Sequence, residues 1–456
     1  MRSAHKALLA AMRLRGKTFL ALLAAAIALS ASPARASAAT AAPWLFVSDV
    51  HLNPLSKSTR PSRRGFDTNE ALLRSALAEM KRVDPAPPVV VIPGDFLGHH
   101  FVDRYAKSTM EHVAQSFGAA FPKAQFVIAL GNEDSACGDY AIAAEAPFLR
   151  DAAAAWGPLV NRHGEAPDFM KTFPRDGFYT AKLPVPGLRA VVLDDTFWSP
   201  FSRAGCGSTH AEGAAEELDD LDRALPPGSR SKAWVLLHIP PGVDAFSTVH
   251  LMHHLAVVPF LESDPRNRLL AILGDKRRQV VLAIAGHTHK FAFRLLDADS
   301  AEPIPVLLAP ALSPILRNNP MFLTVDVGPD GTIREIEEHA FEHRVWRDLG
   351  GSRDLGLPAF AGPALAALRD RLAGSAELRA VFARLYDGGA PPEITEQNWR
   401  GYWCAIDAMT NTDYNRCEGQ QGFGFLTERG LLAGVVIAIP LLLAAIVGAT
   451  LLGRRL

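Results

Sequence analysis

Five short apolar segments of this chain each end at a polar residue of a type that binds metal ions. The segment Val89 to Ile92 is the plainest, because four β-branched residues run directly into Pro93-Gly94-Asp95. Such a run predicts a buried strand that stops at a turn. Polar residues at the carboxyl ends of strands in an open α/β sheet face the crevice where ligands bind. The other four segments are residues 44–51, which reach Asp49 and His51, 126–132, which reach Asn132, 233–238, which reach His238, and 280–289, which reach His287 and His289.

The order of predicted elements indicates an α/β fold. Apolar residues recur at helical spacing in residues 69–83, and Asp84-Pro85 ends that helix. Further helices are expected at 103–118, 141–156 and 212–225, between the strand segments. After the last of these segments, strands follow one another at 291–296, 305–309, 321–326 and 333–338. This pattern predicts two sheets stacked face to face with helices outside, a four-layer α/β/β/α sandwich over residues 44–345.

The amino terminus has the pattern of an export signal. Arg13, Arg15 and Lys17 precede the apolar run 19–29, and small residues suited to cleavage follow at 34–38. A basic start, an apolar centre and a small-residue site are typical of a secretory signal peptide. We therefore expect residues 1–38 to be a signal peptide of an exported protein. An uncleaved membrane anchor is the alternative.

The carboxyl-terminal part contains a second apolar run. Residues 431–452 carry no charge and are long enough to cross roughly 30 Å of hydrocarbon. Arg454 and Arg455 follow, which places that end in the cytoplasm by the positive-inside rule. The interpretation is a carboxyl-terminal transmembrane helix that anchors the catalytic domain on the periplasmic or extracellular side. A buried helix of a soluble protein and a sorting tail that is later removed are the alternatives.

A small helical region is expected between the sandwich and the membrane segment. Residues 350–425 contain two helical patterns, at 363–386 and 398–409, separated by a Gly- and Pro-rich break at 388–392. We read this region as a helical subdomain packed on the sandwich.

The four cysteines lie in the part of the chain expected to be oxidised. Four cysteines allow three pairings. We favour Cys137 with Cys206, which would tie two loops beside the crevice, and Cys404 with Cys417, which closes a short loop. Free thiols are the alternative.

The charge of the chain argues against nucleic acid as a partner. Its formal net charge is −1, so no excess of basic residues is present to neutralise phosphates along a polynucleotide.

Seven polar residues at five strand ends exceed what one ordinary ion requires. Asp, His and Asn suit Mn, Fe or Zn better than soft metals. Two ions about 3.5–4 Å apart, bridged by a carboxylate, hold both the attacking and the leaving oxygen of a phosphoryl displacement. The ligand set therefore favours hydrolysis of phosphate esters with two divalent metal ions as cofactors.

The same residues resemble a known family. Asp49-Val50-His51, Gly94-Asp95, Gly131-Asn132, His238 and Gly286-His287-Thr288-His289 resemble the five ordered motifs of calcineurin-like metallophosphoesterases. The segment His238-Ile239-Pro240-Pro241-Gly242, and Gly94-Asp95 followed by His99, are similar to the acid-sphingomyelinase-like phosphodiesterase branch. Asn318-Asn319-Pro320 before a strand and a cysteine-bearing helical tail are similar to that branch as well.

The resemblance implies a role for each residue. His99 would be the catalytic residue that protonates the leaving oxygen, as a histidine near a dinuclear centre can. Asp95 would bridge the two ions. The remaining ligands divide into a first site, with Asp49, His51 and His289, and a second site, with Asn132, His238 and His287.

One position departs from the family pattern. Glu133 stands where a second catalytic histidine is common. A carboxyl group there could donate a proton only if its pKa were raised. His250, His253 and His254 have the spacing of one helix face, where a solvated surface is expected rather than a zinc site.

The sequence therefore predicts an exported, membrane-anchored, sphingomyelinase-like phosphoesterase. A hydroxide that bridges two metal ions would attack phosphodiester or phosphoanhydride bonds. The substrate would be a small phosphorylated molecule, with a phospholipid head group and a nucleotide both open. One alternative is a metal-retaining protein that binds a phosphorylated ligand with weak or no catalysis because of Glu133. Another is a mononuclear metal hydrolase of a different class.

Overall fold

The computed structural model describes residues 42–99, 103–202, 211–252 and 255–419. The predicted signal peptide, the predicted transmembrane segment, Cys206, His253 and His254 lie outside these ranges. Within the described ranges, no helix combines the length and the apolar character that crossing a bilayer requires.

The described strands form two six-stranded sheets. The first has the order β12-β11-β10-β1-β2-β3, in which β1, β2 and β3 are parallel and β10, β11 and β12 are antiparallel. Parallel order brings the carboxyl ends of β1, β2 and β3 to one edge. The strands are β1 (Trp44–Phe46), β2 (Val89–Ile92), β3 (Gln125–Ile128), β10 (Met321–Val327), β11 (Ile333–Glu342) and β12 (Val345–Gly351).

The second sheet has the order β4-β5-β6-β7-β9-β8. Its four central strands are parallel, and the edge strands β4 and β8 are antiparallel to their neighbours. The central strands are buried, as expected for parallel sheets covered on both faces. The strands are β4 (Tyr179–Lys182), β5 (Leu188–Val192), β6 (Lys232–Leu236), β7 (Val280–Ala285), β8 (Ala292–Leu296) and β9 (Ile304–Leu308).

Aromatic side chains join the two sheets face to face. The ring of Trp234 on β6 lies 4.9 Å from that of Trp44 and 6.0 Å from that of Phe46, both on β1. All three residues are buried. These contacts confirm the mixed α/β class and the pair of facing sheets.

The four predicted helices are present, but the one expected over 141–156 begins at Pro147, and the sequence pattern does not predict the helices Phe169–Asp176 and Ser263–Asp275. Asn69 caps the first helix, and its side chain accepts a hydrogen bond from the main-chain N–H of Leu72. Buried residues on this helix are spaced three and four apart, which is the face directed at the sheet. The helices before the carboxyl-terminal region are α1 (Glu70–Val83), α2 (Ala106–Ala120), α3 (Pro147–Val160), α4 (Phe169–Asp176), α5 (Ala211–Ala224) and α6 (Ser263–Asp275).

In the carboxyl-terminal region as far as residue 419, the structure describes four helices: α7 (Gly362–Gly374), α8 (Ala376–Tyr386), α9 (Trp399–Cys404) and α10 (Asn411–Glu418). The predicted disulfide between Cys404 and Cys417 is confirmed and joins α9 to α10. The partner predicted for Cys137 lies outside the described residues. The division into a catalytic domain at 44–345 and a subdomain at 350–425 stays a prediction.

Besides the unpredicted helices and the unpredicted strand β4, two details differ from the sequence-based prediction. The helix expected over 363–386 is two helices, because Ser375 is extended and its side chain caps the next helix at the N–H of Leu378. The structure adds a strand at 345–351, which the sequence pattern does not predict, because Arg347, Asp348, Gly350 and Gly351 interrupt its apolar residues. Neither difference changes the position of the strand ends that carry the predicted ligands.

Candidate metal centre

The predicted ligands of each site lie together where the strand ends of both sheets meet. In the first group, the side-chain donor atoms of Asp49, His51 and His289 lie within 4.8 Å of one another. The Nε2 atoms of His51 and His289 are 3.0 Å apart, and His289 Nε2 lies 3.3 Å from Asp49 Oδ1. Two ring nitrogens at this distance share at most one proton, so this group offers the lone pairs that a cation requires.

The second group consists of His238, His287 and Asn132. The amide oxygen of Asn132 lies 3.0 Å from His238 Nε2 and 2.8 Å from His287 Nδ1. The donor atoms of Asp95, His238 and His287 also lie within 4.8 Å of one another. Nitrogen and oxygen donors of this kind fit Mn, Fe or Zn.

Asp95 lies between the two groups. Its Oδ2 atom is 3.4 Å from His51 Nε2 in the first group and 3.2 Å from His238 Nε2 in the second. A carboxylate in this position can contact ions in both groups. The structure thus brings all seven predicted ligands together, and their assignment as metal ligands stays a prediction.

Five of these residues adopt a backbone conformation that L-amino acids rarely adopt. Left-handed backbone at residues other than glycine is stored strain, which is common at functional sites. Such strain persists only where the surrounding structure enforces it. The φ angles are 48° at Asp49, 42° at His51, 58° at Asp95, 67° at His287 and 62° at His289.

Main-chain carbonyl groups orient two of the imidazole rings. His51 donates from Nδ1 to the carbonyl oxygen of Leu97 at 2.9 Å, and His238 donates from Nδ1 to that of Pro93 at 2.6 Å. These bonds direct Nε2 of each ring toward Asp95. Hydrogen bonds on the far ring nitrogen are typical of metal-binding histidines.

Charge within the site shifts the pKa of the same rings. Burial by itself lowers the pKa of His51 and His238, but the charges of Asp95 and Asp49 together with hydrogen bonds outweigh it and raise the pKa to about 9 and about 10. Burial raises the pKa of Asp95, but the two histidines outweigh it and lower that pKa well below the ordinary value. Metal binding would displace the ring protons, because a ligand must offer a lone pair.

Asp134 links the turn after β2 to the turn after β3 by hydrogen bonds, a role that the sequence did not reveal. Its carboxylate accepts main-chain hydrogen bonds from Asp95 at 2.9 Å, Phe96 at 2.8 Å, Leu97 at 3.2 Å and Gly131 at 3.0 Å. The turns approach so closely that a Cβ atom at Gly131 would overlap the Asp95 carboxylate. Only glycine fits this position.

Asp195 holds the main chain at His238, a member of the second group. Its carboxylate accepts hydrogen bonds from the main-chain N–H groups of His238 at 3.0 Å and Ile239 at 3.1 Å. The side chain is fully buried, so Asp195 holds the turn rather than lining the crevice.

His99, the predicted catalytic acid, lies beside the first group. Its ring stacks on that of His51 with centroids 4.4 Å apart. Asp67 accepts hydrogen bonds from both His99 N and His99 Nδ1, each at 2.9 Å. Sequence reasoning does not find Asp67, because it comes from a loop remote in sequence and belongs to no strand-end motif. His100, which neighbours His99, lies outside the described residues.

Glu133 lies on the other side of His99, with Oε1 3.7 Å from His99 Nε2. Burial and the charge of Asp95 raise the pKa of Glu133 to about 9. A raised pKa is the condition under which a carboxyl group at this position could donate a proton.

A cavity of about 670 Å³ opens over the two groups. Its floor contains Asp95, Asn132 and His287, and its walls include Phe246, Leu316 and residues of the carboxyl-terminal helices. A site of this size, mostly apolar with a few polar groups, fits a small organic ligand. His250 Nε2 lies within hydrogen-bond distance, 2.9 Å, of the hydroxyl group of Tyr402, which lines the cavity.

Known proteins are similar to this chain over the part that contains the site. The chain is 23% identical over 273 residues to "Sphingomyelinase phosphodiesterase D" of Dictyostelium discoideum, which covers 57% of each chain. It is 24% identical over 257 residues to "Acid sphingomyelinase-like phosphodiesterase 3b" of Mus musculus, covering 54% of this chain and 53% of that one. The chain thus spans about half the length of these relatives.

Solved structures are similar at lower identity. A 5'-nucleotidase precursor from Thermus thermophilus has a TM-score of 0.35 at 12% identity, with 73% of this chain and 59% of that chain covered. A structure of PhoD has a TM-score of 0.39 at 11% identity, with 68% and 72% covered.

The family model described as calcineurin-like phosphoesterase matches residues 42–291, which include every predicted ligand. The match spans more than half of the chain, and the predicted resemblance to that family and to its acid-sphingomyelinase-like members is confirmed. The chain belongs to the calcineurin-like phosphoesterase family.

Proposed function

We propose that this protein is a phosphoesterase that uses two divalent metal ions to hydrolyse phosphodiester bonds. The observation that carries the proposal is the position of Asp95, whose Oδ2 atom lies 3.4 Å from His51 Nε2 and 3.2 Å from His238 Nε2. One carboxylate between two groups of nitrogen and oxygen donors is the arrangement that a pair of bridged ions requires.

The residues that would hold the ions follow from the two groups. Asp49, His51 and His289 would bind the first ion, and Asn132, His238 and His287 the second. Both ions, when bound, would neutralise charge on the phosphoryl oxygens and lower the pKa of a shared water. The neighbouring main chain is fixed by Asp134 and Asp195, so the ligands are positioned before the substrate arrives.

His99 would supply the proton for the leaving oxygen. Water would attack phosphorus and release one proton to solvent as the bond between phosphorus and the leaving oxygen breaks. That oxygen would take the proton from His99 Nε2, which would regain a proton from solvent. Asp67 accepts from His99 Nδ1 and keeps Nε2 on the side of the ring that faces Glu133. A carboxylate behind a histidine stabilises the protonated ring and its orientation, as in other acid–base pairs.

The cavity favours a substrate with both a phosphoryl group and an apolar or aromatic part. Its volume of about 670 Å³ exceeds what a phosphate alone requires, and its walls include Phe246, Phe260 and Phe293. A phospholipid head group with the start of its chains and a nucleotide both suit this chemistry. The names of the similar proteins favour a sphingomyelin-like phosphodiester. Export and anchoring through residues 431–452 would place the cavity outside the cell.

Hydrolysis of bis(p-nitrophenyl) phosphate and of p-nitrophenyl phosphate, with added Mn²⁺ or Zn²⁺, tests the proposal. The diester should be cleaved faster than the monoester, and metal analysis should give two ions per chain. Asp95→Asn should abolish turnover and lower the metal content. Asp84→Asn is the matched control, because Asp84 is a buried aspartate at the end of α1.

Three results would contradict the proposal. One ion per chain in an active protein would support a mononuclear hydrolase. A protein that binds two ions per chain but cleaves neither substrate, with Asp95→Asn no different from the wild type, would support a phospho-ligand-binding protein. Faster cleavage of the monoester would exclude a preference for diesters.

A further inference from the structure

A buried lysine directly follows the last predicted metal ligand. The ammonium group of Lys290 lies 2.6 Å from Asp387 Oδ1 and 3.1 Å from Glu393 Oε2. It also lies 3.4 Å from the carbonyl oxygen of Leu316. The side chains of Lys290 and Asp387 are almost completely buried, and that of Glu393 is mostly buried. Burying three charged groups is unfavourable unless they pair, so their geometry is fixed tightly.

Both carboxylates belong to the carboxyl-terminal helical region rather than to the two sheets. Asp387 follows α8 directly, and Glu393 lies before α9. Asp387 also accepts from the main-chain N–H of Glu393 at 2.7 Å. Glu393 accepts from the hydroxyl group of Tyr402 at 2.8 Å. The acidic side of the cluster is therefore held in place without Lys290.

His289, the ligand next to Lys290, lacks the hydrogen bond that orients the other rings. His51 and His238 each donate from Nδ1 to a main-chain carbonyl group. Among the described residues, His289 Nδ1 is buried and has no hydrogen-bond partner. Apart from its Nε2 contacts with His51 and Asp49, the ring of His289 has no hydrogen bond that orients it, so its direction depends on its own main chain.

That main chain is strained and needs support on both sides. His287 and His289 have left-handed φ angles of 67° and 62°. On the amino side, Gly286 donates to the carbonyl oxygen of His238 at 2.9 Å, and His287 N donates to Asp49 at 3.1 Å. On the carboxyl side, within the described part of the chain, the carbonyl oxygen of His289 accepts only a long hydrogen bond of 3.4 Å from Ala311 N, and Phe291 N donates to the carbonyl oxygen of Tyr386 at 3.3 Å. The ion cluster of Lys290 is the contact with the shortest distance on that side, at 2.6 Å. Left-handed backbone persists where neighbouring contacts enforce it.

We propose that Lys290 is a positioning residue for the first metal ion. Through Asp387 and Glu393 it fixes the carboxyl side of the turn Gly286–His289, and thereby the direction of His289 Nε2 toward Asp49 and His51. The carboxyl-terminal helical region is then part of the metal centre, although none of its residues is a ligand. The inference rests on the proposed function, because it requires that the protein binds two metal ions.

The test measures binding of Mn²⁺ alone to the whole protein, by calorimetry and by electron paramagnetic resonance. The variant Lys290→Met should weaken one of the two sites about 10- to 100-fold, the range for residues that orient metal ligands. The second site should keep the affinity of the wild type. At two equivalents of Mn²⁺, with a protein concentration below the dissociation constant of the weakened site, the spectrum should change from that of a coupled pair of ions in the wild type to the six lines of a single ion in the variant.

Two further variants separate positioning from folding. Lys290→Met leaves two carboxylates buried without a cation, which by itself destabilises the fold. The triple variant Lys290→Met/Asp387→Asn/Glu393→Gln leaves no buried charge unpaired, and it should still lose affinity at one site. Lys290→Arg keeps the cation and should retain binding of two ions. The control is Arg369→Met, which breaks the ion pair with Asp407 in the same helical region.

The outcomes distinguish this inference from the proposed function. Wild-type affinity at both sites in Lys290→Met and in the triple variant, even with a lower melting temperature, would overturn the inference alone. Equal weakening by Arg369→Met would overturn it too, because any loss of stability would then suffice. Fewer than two ions in the wild type would overturn both. Two ions in the wild type without cleavage of bis(p-nitrophenyl) phosphate would contradict only the proposed function.

Discussion

Asp67 holds His99 by two hydrogen bonds at once. Oδ2 accepts from the main-chain N–H and Oδ1 accepts from the ring Nδ1, each at 2.9 Å. The main chain and the ring of His99 are thus fixed by a single carboxylate. Nε2 remains for the reacting groups.

This relationship predicts that replacing His99 or Asp67 lowers kcat by an amount that depends on whether the leaving group needs a proton. With an alkyl phosphodiester, His99→Ala should lower kcat by about 10²- to 10⁴-fold, the usual contribution of a general acid. With bis(p-nitrophenyl) phosphate the loss should be small, because p-nitrophenolate leaves without a proton. Asp67→Asn should show the same dependence with a smaller loss. Asp151→Asn, an aspartate paired with Lys107 at the surface, is the control. Equal losses with both substrates would show that His99 is not the acid.

A second prediction concerns the close approach of the turns after β2 and β3. In Gly131→Ala, the new Cβ atom would overlap the Asp95 side chain and the main-chain nitrogen, so the turns must separate. Overpacking of this kind typically lowers the free energy of unfolding by about 1–3 kcal/mol. Mn²⁺ binding should weaken as well, because Asp95 is displaced.

The control for this prediction is Gly274→Ala on α6, where a Cβ atom meets nothing within 4 Å. Urea denaturation and Mn²⁺ calorimetry measure both effects. Unchanged Mn²⁺ affinity in Gly131→Ala would contradict the fixed position of Asp95.

A third prediction concerns the disulfide between Cys404 and Cys417. It closes a loop with a sequence separation of 13 residues, for which chain entropy gives a stabilisation of about 3 kcal/mol. The double variant Cys404→Ser/Cys417→Ser should lose about this amount in urea denaturation. Reductant should then change the variant less than it changes the wild type. An unchanged denaturation midpoint in the double variant would show that the bond adds nothing to stability.

A fourth prediction concerns two buried carboxyl groups away from the predicted ligands. Glu217 Oε1 accepts from the main-chain N–H of Asp194 at 2.7 Å. Burial raises the pKa of Asp194 and of Glu217 well above the ordinary value, and the negative charge of neighbouring carboxylates adds to the rise. The native state therefore holds protons that the unfolded chain releases above its ordinary carboxyl pKa, near 4. Stability should fall as pH rises from that value toward the native pKa.

The variant Glu217→Gln removes one of these protons and keeps an oxygen for the Asp194 N–H. Its free energy of unfolding should consequently fall less between pH 5 and pH 8 than that of the wild type. Urea denaturation in the presence of a chelator measures the slope without a contribution from metal binding. Glu216→Gln, at an exposed position on the same helix, is the control. An identical slope in Glu217→Gln and wild type would show that Glu217 is ionised throughout.

Much of the fold could be predicted because it depends on local patterns. The four-residue run before Asp95 is β2, and the periodic run after Asn69 is α1, each within one or two residues of the expected bounds. The spacing of apolar residues along the sequence predicts which of them are buried in a strand or a helix. The break at Ser375 could not be predicted in this way, because the apolar spacing continues through it and only the cap of the next helix interrupts the chain.

The order of residues alone specifies the ligand types and the strand ends that carry them. A Pro-Gly or Gly-His turn after an apolar run forces a polar side chain to the end of a strand, whichever sheet that strand joins. Which polar groups face one another depends on the folded arrangement of the two sheets. Asp67, Asp134 and Lys290 come from different loops, and their partners lie 32, 39 and 97 positions away. Contacts over such separations depend on how the two sheets pack, and no local pattern of residues specifies them.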